Sequence, residues 1–454
     1  MNTPADRTAA ARPMRLPWAA SLLAIAAAGA IVALFAAAPL SHHTPGTPRA
    51  LTVGRSAAMM ALALLLMQVV LSGRIRWLDR AFGLDVLYRV HAIFGATAVM
   101  LLSAHPLLLA WPKSFSTSLA GEPWWHYWEI LLGAATLSLA WVVVVTAAWR
   151  VFLRLPYHVW RKIHYLTFAI VAAALVHAFA LGEDFEDFGL GMVLGIAAAA
   201  VYAGGFVWAK IVRPIRLKRR SMEIRSVTRV SHNTVNVEMV PPEGRLFTYL
   251  PGQFAFVRFD SKAVSGEEHP FTLSSSPTAG GAVCMTIKDC GDWSGTVGQL
   301  SAGERARLHG PFGRFSYLLH APTDRPIVLI AGGVGITPFL SMLRYMADAQ
   351  DGRRVVLIWS NRTEKDILFR DEIESLEARL PALTVHHVLT RQEDSPGEKR
   401  RIDRGMLARL LAEEDRRGHV FLCGPPAMTQ AVAAAVAKLG YSRCRIHSER
   451  FSLS

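Results

Sequence analysis

The sequence predicts a chain of two halves. A bundle of six membrane-spanning helices is followed by a water-facing module, made of a small antiparallel β-barrel and an open parallel α/β sheet. Three observations predict this. Residues 1–220 contain six apolar stretches, each near or above the ~20 residues that span a bilayer core. Residues 223–318 change to short runs of alternating apolar and polar residues separated by Gly and Pro, the mark of antiparallel strands. From Arg325 onward, short apolar strands alternate with helical segments, the mark of a parallel sheet. A chain of 454 residues has room for all three domains, expected at 1–220, 221–320 and 321–454.

Composition supports the division. Hydrophobic residues make up 52% of the chain and charged residues 19%, which excludes a disordered polymer. The net charge of +14 invites a nucleic-acid partner, but its distribution argues against one. Residues 1–220 hold 20 Lys/Arg against 9 Asp/Glu, whereas residues 221–454 hold 29 against 26. The basic excess flanks apolar segments, as in a protein of the lipid bilayer. The four cysteines, Cys284, Cys290, Cys423 and Cys444, form no C-x-x-C pair, all lie in the second half, and fit a reducing compartment.

The spans are expected at about 16–39, 51–72, 87–111, 127–149, 163–181 and 188–212. The first follows Arg7, Arg12 and Arg15 like a signal peptide, but its apolar run exceeds the ~7–15 residues of such a segment, so a retained helix is expected. Arg74, Arg76, Arg80 and Arg89 follow the second span. Arg150, Arg154, Arg161 and Lys162 follow the fourth. Lys210, Arg213, Arg216, Lys218, Arg219 and Arg220 follow the sixth. The alternate loops hold Arg49, Lys113 and the acidic run 183–187. The positive-inside rule then puts both termini in the cytoplasm. The Ala- and Arg-rich bias points to a bacterial inner membrane.

Histidines inside the spans carry the chemistry, because titratable side chains in hydrocarbon are costly and usually functional. The third span holds His91 and His105, the fifth His164 and His177. His91 and His105 are 14 residues apart, about 21 Å of rise and ~40° short of a whole number of turns, so they share a face. His164 and His177 are 13 apart and fall roughly 140° out of phase on an ideal helix. A bend, or ligands reaching from different rotamers, must reconcile them. The two spans run the same way, so His91 pairs with His164 on the cytoplasmic side and His105 with His177 on the outer side. Each pair can clamp one iron between two imidazoles, and two haems so stacked would carry electrons across the ~30 Å core. No C-x-x-C-H occurs, so a covalently attached haem is excluded. His126 and His158 sit at span ends, and Trp124, Trp125 and Trp128 form an aromatic belt.

In the second half, residues 327–331 read as a buried strand. The turn Gly332-Gly333-Val334-Gly335-Ile336-Thr337-Pro338 then opens a helix and offers backbone N–H groups to a pyrophosphate. Further strand–helix units follow at 355–360 with 371–379 and at 420–423 with 426–439. Ser360, Asn361 and Arg362 follow the second strand. No acid stands there for a ribose 2′-hydroxyl, and a Ser and an Arg suit a 2′-phosphate, so NADPH is preferred over NADH.

Taken together, the chain resembles the ferric reductase/NADPH oxidase superfamily, in its histidine spacing over about 85–220 and in its motifs over 223–454. That resemblance implies a six-helix transmembrane di-haem bundle fused to a ferredoxin-reductase-type module, an antiparallel β-barrel FAD domain plus a Rossmann-like α/β NADPH domain. Pro251-Gly252-Gln253-Phe254 is similar to the family's barrel-strand motif. His269-Pro270-Phe271-Thr272-Leu273-Ser274-Ser275 is similar to its flavin motif, with His where soluble ferredoxin reductases usually carry Arg; it implies contacts with the isoalloxazine and the FAD phosphates. Lys288, Gly291, Trp293 and Thr296 resemble the next flavin loop. Gly332, Gly333, Gly335, Thr337 and Pro338, with Cys423, Gly424 and Pro425, resemble the two pyridine-nucleotide motifs, the second placing Cys423 near the nicotinamide. Phe451 resembles the aromatic that stacks on the flavin, although this sequence runs on to Ser454.

The resemblance implies FAD, NADPH and two haem b as cofactors. The expected activity is electron transfer to an external acceptor, with oxygen reduced to superoxide. The alternatives are Fe(III) or Cu(II) chelates, toward which the acidic run at 183–187 would draw cations, or delivery to a partner protein. No D-x-D-x-D-G loop occurs, so calcium gating finds no support.

Overall fold

The structure is a computed structural model that describes residues 18–42, 48–110, 128–181, 185, 189–242, 247–322, 325–391 and 401–449. It separates into two compact units, one built on residues 16–214 and the other on residues 215–454.

The first unit contains six spans long and apolar enough to cross a membrane. They are formed by α1 (Trp18–Ala37), α2 (Arg49–Ser72), then, after the short α3 (Arg76–Phe82), α4 (Leu84–Ala110), α5 (Trp128–Ala148), the pair α6 (Tyr157–His164) and α7 (Thr167–Leu181), and α8 (Leu190–Val207). A π-helical turn, Trp208–Val212, and α9 (Arg213–Arg219) extend the last span. These helices are rich in Leu, Ala, Val and Ile on every face. Many of those side chains are open on the outside, including Leu23 at 71%, Ile93 at 62% and Leu107 at 71% exposure. A helix apolar all round suits hydrocarbon, where its backbone bonds are satisfied within the segment. Leu62, Leu65, Val171, Leu175 and Leu194 fill the interior.

The fifth span differs from the single helix expected at 163–181. Helix α6 ends at His164, the chain turns through Tyr165 and Leu166, and α7 begins at Thr167. The Thr167 hydroxyl donates to the His164 carbonyl at 2.7 Å, and the Leu166 N–H donates to Ile163 at 3.0 Å, so the carbonyls freed by the break are taken up locally.

The second unit opens with an antiparallel sheet ordered β4-β3-β6-β1-β2-β5. Its strands are β1 (Met222–Ser231), β2 (Thr234–Val240), β3 (Phe254–Asp260), β4 (His269–Thr272), β5 (Val283–Lys288) and β6 (Arg305–Phe312). The sheet curls because its two end strands meet: the Ser274 N–H, just past β4, donates to the Cys284 carbonyl of β5 at 2.8 Å. Inward residues such as Ile224, Val237, Met239, Val257 and Met285 form the barrel core. The short α10 (Asp292–Thr296) follows β5, and α11 (Tyr317–His320) follows β6.

A five-stranded parallel sheet follows, ordered β11-β10-β7-β8-β9. Its parts are β7 (Ile327–Gly332), α12 (Thr337–Asp348), β8 (Val355–Asn361), α13 (Arg370–Arg379), β9 (Leu383–Leu389), α14 (Arg404–Leu410), β10 (His419–Cys423), α15 (Pro426–Lys438) and β11 (Ile446–Glu449). The β7 strand is buried along its whole length, as a central parallel strand covered on both faces must be.

Candidate functional site

In the membrane unit the break after His164 decides the geometry. Because α6 ends there and a two-residue turn precedes α7, His164 and His177 do not lie on one continuous ideal helix, the case to which the roughly 140° mismatch applies. The His91 and His164 ring centroids lie 5.9 Å apart, with the ring planes tilted by 55°. Their Nδ1 atoms are buried and have no hydrogen-bond partner within the protein. Two metal–imidazole bonds of about 2 Å, one on each side of an iron, would separate ring centres by ~6 Å, so this pair fits a bis-imidazole clamp.

His105 and His177 lie within electrostatic reach of each other. His105 Nδ1 lies 3.0 Å from the Gly54 carbonyl on α2, and His177 Nδ1 lies 2.8 Å from the Glu129 carbonyl on α5. A carbonyl only accepts, so each Nδ1 carries the proton and each Nε2 is left with a bare lone pair. That tautomer is the metal-binding one, oriented by its second hydrogen bond. Gly133 on α5 makes the space: a Cβ there would sit 2.6 Å from His177 Cε1. Gly54, Glu129 and Gly133 carry no signal in the sequence, because backbone carbonyls and missing side chains make no motif. His126, Trp124, Trp125 and all of the acidic run except Phe185 lie outside the described residues.

In the barrel, His269, Pro270, Phe271 and Thr272 form β4 and pair with β3. Trp293 of α10 lies beneath them. Its ring stacks at 5.7 Å on Phe271 and on Phe259, and lies 4.2 Å from His269. The Trp293 N–H donates to the Ser265 carbonyl at 2.9 Å, and His269 Nε2 lies 3.5 Å from the Glu267 carboxylate. Thr296 donates to the Trp293 carbonyl, Lys288 ends β5, and Gly291 precedes α10. The motif therefore brings His269, Phe271 and Trp293 together as one aromatic block. Ser274 and Ser275 are placed otherwise: both are buried, Ser274 Oγ lies 3.2 Å from Thr286 Oγ1, and Ser275 Oγ lies 2.8 Å from the Tyr249 hydroxyl.

In the parallel sheet the register gathers three predicted positions at one edge. Gly332 of β7 pairs with Ser360 of β8, and Ala331 pairs with Cys423 of β10. The carboxyl ends of three adjacent strands thus stand side by side, where open α/β sheets bind ligands. The Gly-rich turn is a 3-10 turn, Gly333–Ile336, running into α12 at Thr337 with Pro338 in its first turn. Its glycines permit close packing. A Cβ on Gly335 would lie 2.3 Å from the Cys423 carbonyl oxygen, and one on Gly332 would lie 2.8 Å from Pro425 Cδ. Gly424 adopts φ +156° and packs on the Gly332 backbone. Burial, and then the Glu449 carboxylate on the paired strand, push the Cys423 thiol well above the usual range, so it stays protonated. Arg362 is exposed. Asn361 beside it is buried, and neither side-chain amide atom has a hydrogen-bond partner within the protein. Phe451 lies outside the described residues.

Comparison with known proteins agrees with this layout. Residues 57–175 match the family described as ferric reductase like transmembrane component. Residues 219–335 match an FAD-binding domain, and residues 329–434 an oxidoreductase NAD-binding domain. The stachydrine N-demethylase reductase subunit of Rhizobium meliloti is 33% identical over 228 residues, covering 48% of this chain and 63% of that protein. A glycine betaine monooxygenase reductase subunit of Chromohalobacter salexigens is 31% identical, covering 45% and 57%. NADH-cytochrome b5 reductase 1 of Pyricularia oryzae is 30% identical over 247 residues, covering 52% and 79%. The chain spans about three-fifths of the length of the first two relatives. The chain thus joins a ferric-reductase-like transmembrane component to an FAD-binding domain and an NAD-binding domain. In that order of domains the chain has the ferric reductase/NADPH oxidase-like architecture.

Proposed function

We propose that this protein moves electrons from cytoplasmic NADPH, by way of FAD and two b-type haems, across a bacterial inner membrane to oxygen, which leaves as superoxide. The observation that carries the reading is the set of four histidines: His91 and His164 with ring centroids 5.9 Å apart, and, about 20 Å further along α4, His105 together with His177, each with its Nδ1 on a backbone carbonyl. When bound, the flavin supplies the change from hydride to single-electron chemistry and the haems supply one-electron transfer.

The chain's own residues do the rest. His91 and His164 would hold the inner iron, and His105 and His177 the outer one. The Gly54 and Glu129 carbonyls keep the outer imidazoles in the ligating tautomer. With two histidines to hold each iron, the sites would suit one-electron transfer to a diffusing acceptor rather than direct binding of it. The block of His269, Phe271 and Trp293 would support the flavin ring. The turn Gly332–Gly335 presents backbone N–H groups to the nucleotide pyrophosphate. Ser360, Asn361 and Arg362 would hold the adenosine end with its 2′-phosphate. Cys423, neutral and buried, forms an uncharged wall for the nicotinamide.

A second reading, delivery of electrons to a partner protein, is favoured by the names of two relatives, which are reductase subunits. Anaerobic addition of NADPH to the purified protein tests the route. The expected result is reduction of two haems per flavin, and loss of one haem in His91→Ala/His164→Ala. Two haems retained in that variant would show the pairing to be wrong. Rapid reoxidation in air with superoxide release supports oxygen as acceptor, whereas slow reoxidation favours the partner.

A further inference from the structure

Helix α12 begins at the nucleotide turn and ends against the flavin domain. Three of its residues, Ser341, Arg344 and Asp348, recur at helical spacing and so share one face. All three bond the segment that follows β4. The Ser341 hydroxyl donates to the Ser275 carbonyl at 2.7 Å. Arg344 Nη1 donates to the Ser274 carbonyl at 2.5 Å. Asp348 accepts from the Thr278 hydroxyl at 2.6 Å. Ser274 and Ser275 therefore join the flavin strand to the nucleotide helix.

The same face is held from behind by α13. Glu372 grips Arg344 with two bonds of 2.6 and 2.7 Å, and Arg379 donates to Asp348 at 3.1 Å. Helix α13 follows the strand end that carries Ser360, Asn361 and Arg362. Phe369, just before it, takes a left-handed φ of +52°, rare for a side chain of its size. The Arg344 guanidinium lies over that ring, 5.4 Å from its centroid. The Arg344 side chain is only 17% exposed. The result is a two-rung ladder, Glu372–Arg344–Ser274 and Arg379–Asp348–Thr278. It runs from both ends of the nucleotide site to the flavin strand.

We propose that Arg344 and Asp348 are positioning residues: through Ser274 and Thr278 they set the flavin strand against the nucleotide turn, so that hydride donor and acceptor meet in register. This rests on the NADPH-to-flavin reading above. Hydride transfer is steep in distance and angle, so a small displacement costs rate and leaves binding almost unchanged. The bidentate grip also needs a guanidinium, and an ammonium reproduces only part of it.

The test is anaerobic stopped-flow reduction of the full-length, FAD-loaded protein by NADPH, with rates expressed per bound flavin. Arg344→Ala and Asp348→Ala are each expected to slow the saturating rate by about 10-fold or more. The apparent Kd for NADPH should stay within about 2-fold, and the isotope effect with deuterated NADPH should rise, because only the transfer step is affected. Arg344→Lys should recover part of the rate. If Arg344→Ala fails to fold, Glu372→Gln removes the charge behind Arg344 at nearly constant shape and should slow transfer several-fold. Lower stability or FAD content with an unchanged rate per flavin would make the ladder simple glue and overturn the proposal. A parent protein whose flavin NADPH cannot reduce would overturn the proposed function as well; a parent that reduces normally confines any failure to this inference.

Discussion

Asn361 shows what a single residue adds to the site. Its side chain is 4% exposed and its amide is unsatisfied within the protein. Leaving a buried polar group without a partner costs about 1–3 kcal/mol. Such a cost persists where a bound group repays it, and Asn361 lies between the two residues assigned to the nucleotide. Nothing in the sequence distinguishes it, because an Asn at a strand end is an ordinary turn residue; only its burial sets it apart. Replacing Asn361 by Leu is expected to raise the unfolding free energy by about 1 kcal/mol, while raising KM for NADPH roughly 10-fold through the lost hydrogen bonds. Thermal melts of the nucleotide-free protein and steady-state kinetics read the two effects separately. A more stable protein with unchanged KM would remove Asn361 from the nucleotide site.

Among the elements, the fifth span is the most instructive. The periodicity of residues 163–181 marks it as apolar and helical, and the histidine phase calls for either a bend or ligands reaching from different rotamers. It does not say which of the two holds, nor where a bend falls. The answer depends on local bonds, the Thr167 hydroxyl to the His164 carbonyl and the turn at Tyr165–Leu166, which propensity alone cannot rank. The strand ends of the parallel sheet were legible for the opposite reason. A buried apolar run, a Gly-rich turn and a helix are each locally encoded, and the register then brings Gly332, Ser360 and Cys423 together with little freedom left. Helix α5 contributes through an absence of side chain. In Gly133→Ala, the new Cβ would fall 2.6 Å from His177 Cε1 and displace the ring from its bond to Glu129. The expected outcome is loss of the outer haem with the inner one retained, read as a fall from two haems per flavin to one.

At the scale of the whole molecule, charge and hydropathy separate a membrane half from a water-facing half before any motif is considered. The motifs then assign the second half to flavin and nucleotide. What composition could not reach is the ladder on α12 and α13, because Arg344, Asp348, Glu372 and Arg379 read in sequence as the solvated face of two surface helices. Their meaning appears only when the barrel's Ser274 and Thr278 are set against them. The central claim is that the two halves work as one conductor with an entry on one side of the bilayer and an exit on the other. The direct measurement uses sealed vesicles with the reductase module facing outward, a membrane-impermeant one-electron acceptor trapped inside, and NADPH added outside without oxygen. The account predicts that the trapped acceptor is reduced, and that His105→Ala/His177→Ala abolishes this while NADPH still reduces the flavin. Reduction confined to acceptors on the NADPH side, with the trapped acceptor left oxidised in the parent protein, would contradict it.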